Sequence, residues 1–143
     1  MRKIQIVIDT NVIIAGLRSN RGPSFQLLKL VGTGPFDINI SVPLILEYEA
    51  VLLRQLSFLS LAEGDIGDLL DYYCAIGRQH EIFYLWRPML RDPADEMLLE
   101  LAVKAQCDFI VTYNVRDFVG SDQFGITILT PKQFLQKIGA SLQ

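Results

Sequence analysis

The chain is 143 residues long, 50% hydrophobic and carries a formal net charge of −3. That length suits one domain (residues 1–143) burying about two-thirds of its unfolded surface, and that composition excludes a disordered chain. The charge argues against a protein that grips nucleic acid by bulk electrostatics, and no apolar run or leader pattern signals a membrane span or secretion, so a cytoplasmic protein is expected.

Ile4 to Ile8 is an apolar, β-branched strand ending on Asp9, within a run that continues through Thr10, Asn11, Val12, Ile13 and Ile14. Such a strand is buried on both faces only in a parallel sheet clad by helices. Ligands in that architecture bind beyond the carboxyl ends of the strands. Asp9 therefore reads either as a turn or helix cap or as part of a site. After this strand comes the turn-rich loop at 18–23, and Pro23 suits the first turn of a helix reaching about Val31. Phe36 to Ile40 alternates as a second strand, and Pro43 is acceptable in the first turn of a helix from Val42 to about Leu56, with Leu44, Tyr48, Val51 and Leu52 on one face.

Ser60-Leu61-Ala62-Glu63 resembles a capping box opening a helix with Ile66, Leu69, Leu70, Tyr73 and Ile76 as its stripe. The segment from Ile82 to Leu85 is ambiguous. Asp92 as N-cap and Pro93 at the first position start another helix, bearing Met97, Leu98, Leu101, Ala102 and Ala105. Phe109 to Thr112 and Ile126 to Leu129 are short strands, and Thr130-Pro131 opens a closing helix to about Ile138. Strands alternating with helices indicate a three-layer α/β/α sandwich with a mostly parallel central sheet. The single histidine, His80, leaves no histidine triad or histidine-rich zinc site and is expected on the surface or in a loop at a helix end. Cys74 and Cys107 have no metal-ligand spacing and read as small core residues of a reduced protein.

Asp9, Glu47, Asp95 and Asp117 fall at strand carboxyl ends or at the helix N-termini facing that edge. Each alone has a bland reading as a cap, turn or solvated residue. Together, several close carboxylates would repel one another, and a divalent cation relieves that repulsion. Mg²⁺ and Mn²⁺ prefer oxygen ligands and keep waters for chemistry, so such a cluster can activate water against a phosphodiester.

The ordered set Ile8-Asp9-Thr10-Asn11-Val12, Ser41-Val42-Pro43 leading to Glu47, Arg91-Asp92-Pro93-Ala94-Asp95, and Asp108 through Phe118 resembles the PIN-domain (PilT N-terminal) family of metal-dependent ribonucleases. The resemblance runs from Ile4 to about Pro131 and is greatest to VapC-like PIN toxins of toxin–antitoxin pairs. It implies a Mg²⁺- or Mn²⁺-dependent endoribonuclease in which Asp9, Glu47, Asp95 and Asp117 are catalytic and hold metal. Thr10, Asn11, Thr112 and Asn114 would then orient those acids by hydrogen bonds, or else cap the strand-to-helix turns. One departure stands out: many members carry an acid where this chain has Asn114, which leaves one or two metals open. The resemblance further implies an RNA substrate, a homodimer, and an antitoxin that covers the acidic cleft and inserts a basic side chain among the acids.

Three other readings stand beside it. A haloacid-dehalogenase-like phosphatase needs a second Asp two residues after the first, where this chain has Asn11, and a receiver domain needs an acidic pair before the first strand's end. A catalytically silent PIN-like module that binds a partner fits the Asn114 departure and the acidic charge. Arg18, Arg21 and Arg116 are the candidate substrate contacts, with Arg54, Arg87 and Arg91 as further cations, because arginine suits phosphate; their bland reading is solvated surface charge. Tyr72, Tyr73, Phe83, Tyr84 and Trp86 cluster in sequence and either fill the core or form part of an association patch.

Overall fold

A computed structural model describes residues 2–82 and 93–139. Its strands are β1 (Ile4–Ile8), β2 (Phe36–Ile40), β3 (Arg78–Gln79), β4 (Phe109–Val111) and β5 (Thr127–Leu129). Its helices are α1 (Thr10–Arg18), α2 (Pro23–Leu30), α3 (Val42–Arg54), α4 (Glu63–Ile76), α5 (Pro93–Lys104) and α6 (Pro131–Ile138). Every strand pairing is parallel, in the order β3-β2-β1-β4-β5. The chain moves outward from β1 through β2 and β3, then returns to place β4 on the other side of β1. The strand order therefore reverses between β1 and β4, the position at which open α/β sheets form their binding crevices.

Consecutive residues of β1, from Gln5 to Ile8, are all buried, so both faces of the central strand are covered. The expected sandwich is the observed one. α5 lies against β1, β2 and β4, while α2 packs on α1 and α6, and α3 on α1, α4 and α5. Gly16 permits the close approach of α1 and α2: a Cβ there would stand 2.5 Å from Leu28 Cδ1 and 3.1 Å from the Ser24 carbonyl.

Proline punctuation located α2, α3 and α6 correctly, and Thr130 closes a reciprocal cap with Gln133 at the start of α6. Four expectations change. α1 occupies residues that read as continuous with the strand; Val12, Ile13 and Gly16 are its buried side, a helical spacing. β3 forms at Arg78–Gln79, both exposed, and pairs through its backbone with Asn39 and Ile40. Of the ambiguous segment, Ile82 lies outside any strand, and residues 83–85 fall outside the described residues. The cap of α4 is at Ala62 rather than Ser60, and there the Asp65 carboxylate accepts the Ala62 amide at 2.8 Å. His80 follows β3 rather than a helix, half-buried, with Nε2 2.8 Å from Asn39 Oδ1.

Cys107 is buried and Cys74 half-buried against the core, both as free thiols. Tyr73 is in the core, whereas Tyr72 is 44% exposed and donates its hydroxyl to the Val31 carbonyl. Phe83, Tyr84 and Trp86 lie outside the described residues, as do Arg87, Arg91 and Asp92. Among the described residues no helix is long and apolar enough to cross a membrane.

Candidate active site

β1 ends as Asp9 turns the chain into α1, and the Asp9 amide donates to the Val111 carbonyl at 2.9 Å, extending the β1–β4 ladder by one bond. Asp9 holds the N-cap position of α1, yet its side chain makes no capping bond to that helix. The carboxylate instead accepts the Thr112 hydroxyl, 2.7 Å from Oδ2, across the β1–β4 junction. Asp9 is buried and Thr112 fully so. A charge-assisted bond of that length strongly orients a carboxylate. The cap reading of Asp9 therefore gives way to a carboxylate presented at the switch point.

The Thr112 oxygen also accepts the Asn114 amide at 3.0 Å and a long contact from Asn11 Nδ2 at 3.4 Å. Asn11 Oδ1 in turn receives the Tyr113 amide at 3.4 Å. Asp9, Asn11, Thr112 and Asn114 are thus one hydrogen-bonded cluster joining the ends of β1 and β4. Thr10 is buried beside it as the first residue of α1.

The remaining acids stand on neighbouring elements. Asp95 is buried in the first turn of α5, the helix packed on β1 and β4. Glu47 is half-buried in the second turn of α3, which touches both α1 and α5. Asp117 is exposed in a 3₁₀ turn (Val115–Phe118) that packs on α5, with its amide bonded to the Asn114 carbonyl at 3.0 Å. Among the described residues, no three His, Cys, Asp or Glu side chains are grouped so as to hold a metal ion. The donors that do meet at this edge are carboxylate, hydroxyl and amide oxygens, the chemistry that Mg²⁺ and Mn²⁺ favour. Arg18, Arg21 and Arg116 are exposed, at the last turn of α1, before α2 and in the 3₁₀ turn respectively.

Two contributors were not foreseen from the sequence. Tyr48 reads as one more apolar position of α3, but its hydroxyl donates to the carbonyl of Ile8, the residue before Asp9. That bond ties α3, the helix that carries Glu47, to the end of β1. Burial, then Tyr73, then the Asp9 charge push the Tyr48 phenol well above its ordinary pKa, so it stays a neutral donor. Ser24, buried at the start of α2, has its hydroxyl 2.6 Å from the Tyr113 hydroxyl, anchoring the loop after β4. A partner 89 residues away leaves no local signal.

The PIN domain family model matches residues 5–116. Among solved structures, a chain in the crystal structure of VapBC2 from Rickettsia felis, bound to a DNA fragment from their promoter, superposes with a TM-score of 0.59. It is 12% identical, and the match covers 89% of this chain and 98% of that one, a likeness of fold. No curated protein matches the chain in sequence.

Proposed function

The chain belongs to the PIN domain family, and from that premise we propose that it is a Mg²⁺- or Mn²⁺-dependent endoribonuclease, the toxin of a toxin–antitoxin pair. The observation that supports this most is the buried Asp9 carboxylate, oriented by Thr112 at the strand-order reversal. Asp9, Glu47, Asp95 and Asp117 would hold the cation, which when bound supplies an acidified water and charge neutralisation for a phosphodiester. Thr112 keeps Asp9 from rotating away, and Tyr48 keeps α3, with Glu47, seated against the same strand end. The exposed guanidinium groups of Arg18, Arg21 and Arg116 offer forked donors to backbone phosphates, which a chain of net charge −3 needs locally.

An antitoxin partner is supported by the fold's likeness to VapBC2, and we read its role as covering the acids with a basic side chain. A homodimer fits the solvent face of α3, where Val42 and Leu46 are 69% and 57% exposed. Light scattering that gives a monomer at high micromolar concentration would remove the dimer.

Cleavage of a panel of structured RNAs tests the central claim. Wild type should cleave with Mg²⁺ or Mn²⁺ and stop in EDTA. Asp9→Asn should lower the rate by roughly hundredfold or more while the melting temperature falls by only a few degrees, the cost of weakening one charge-assisted bond from Thr112. Equal rates in EDTA and in metal would refute the mechanism, and a large loss of melting temperature would make Asp9 a structural residue. A second reading, a silent module acting through its partner, is favoured by Asn114 and by the lack of a ready-made acid trio among the described residues. Metal binding by calorimetry without RNA cleavage would select it.

A further inference from the structure

Tyr113 is the first residue beyond the Asp9–Thr112 pair, and its setting is unusual for a loop aromatic. Its amide is held by Asn11 Oδ1 at 3.4 Å and its hydroxyl by Ser24 at 2.6 Å, so both ends of the side chain's lever are fixed. Ser24 is itself buried at the head of α2, a helix seated closely on α1 through Gly16. Despite these anchors the residue remains 44% exposed. An aromatic ring pinned at the rim of a phosphodiester site loses little freedom when a planar ligand covers it. Single-stranded nucleic acids are held largely by stacking bases on such rings, with little dependence on sequence.

We propose that Tyr113 is a nucleobase-stacking platform, receiving an unpaired RNA base beside the phosphodiester to be cut; this rests on the ribonuclease reading above. The Ser24 hydroxyl positions the ring, and the stacking itself needs the ring alone. The loop thereby joins two tasks: Thr112 orients the reacting site and Tyr113 seats the substrate next to it. Stacking adds to the phosphate contacts of the exposed arginines a hold on RNA that does not depend on net charge.

The test uses short single-stranded RNAs with 2-aminopurine at each position in turn, bound in EDTA to the full chain. Wild type and Tyr113→Phe should quench the probe at one position, whereas Tyr113→Ala should lose the quench and bind roughly five- to hundredfold more weakly. Unchanged binding and quenching in Tyr113→Ala would overturn the proposal. So would a Phe variant as impaired as the Ala variant, since that pattern belongs to a loop anchor working through the hydroxyl. Wild type that binds no RNA would overturn it too. The two readings fail separately. Quenched binding without cleavage in metal removes the nuclease and leaves the platform, while cleavage by Tyr113→Ala at unchanged KM removes the platform alone.

Discussion

Thr112→Val replaces a fully buried hydroxyl with a methyl of nearly the same volume, so the change is chemical rather than steric. The lost bond to Asp9 is 2.7 Å long and charge-assisted, a class worth about 1.5–3 kcal/mol. The Asn114 amide loses its acceptor as well, but Asn114 is exposed and water replaces it at little cost. The net loss should be about 2 kcal/mol, a fall in Tm of roughly 5–8 °C for a chain of this size. Thermal melts of a double-mutant cycle isolate the pair. With Asp9→Asn the acceptor is neutral, so the valine penalty should shrink by about 1 kcal/mol or more. Equal penalties in the two backgrounds would refute the claim that Thr112 acts on stability through the Asp9 charge. RNA cleavage should fall with Thr112→Val, because the carboxylate is then free to turn.

Burial pushes the Cys107 thiol from 9.0 up to about 12, with Asp108 adding and Arg2 and Arg78 opposing. The folded value is the higher, so the neutral thiol's contribution is complete below about pH 9 and is lost as the pH rises towards 12. Cys107→Ala should flatten that alkaline limb in urea titrations, and an unaltered limb would assign it to other groups. Asn39 is fully buried between Gln5 Oε1 at 3.0 Å, the Ile6 carbonyl at 3.2 Å and His80 Nε2 at 2.8 Å. Asn39→Ala should therefore cost about 2–3 kcal/mol, and His80→Ala, at a half-exposed residue, less than about 1 kcal/mol. Equal losses by chemical denaturation would contradict this assignment.

What the chain discloses locally follows from which forces are local. Prolines at 23, 43, 93 and 131 act within one residue on backbone geometry, and each lies in the first turn of a helix, as expected. The Ile66, Leu70 and Tyr73 stripe of α4 was legible for the same reason, since burial of a helix face follows its own period. α1 was not, because Val12, Ile13 and Ile14 are β-branched and read as more strand beyond the polar Asp9-Thr10-Asn11; the buried Val12, Ile13 and Gly16 show the helical spacing that packing selects. β3 had no apolar signal at all, and its two exposed residues are a strand because β2 offers its edge. Within the candidate site, Asp9 stood out as a charge at the end of an apolar strand, and Thr112 as the matching end of β4. Tyr48, Ser24 and the bonding of Tyr113 depend on partners 40 and 89 residues distant, which no window of neighbouring residues reveals.

The bond from Thr112 to Asp9 spans 103 positions and has a consequence for the order in which the molecule comes into being. As the chain is synthesised, the carboxylate emerges well before the hydroxyl that clasps it. Until Phe109–Val111 arrives, one side of the central strand lacks the partner it has in the fold, because among the described residues β4 is the strand that pairs there. Parallel pairings over such separations form late, after the large loop between them has been closed. A chain stopped before β4 would keep Asp9 but expose an apolar, half-paired β1, a species prone to association rather than to catalysis. The clasped Asp9 carboxylate is therefore a late product of folding, present only in molecules in which β1 and β4 have both been made and paired.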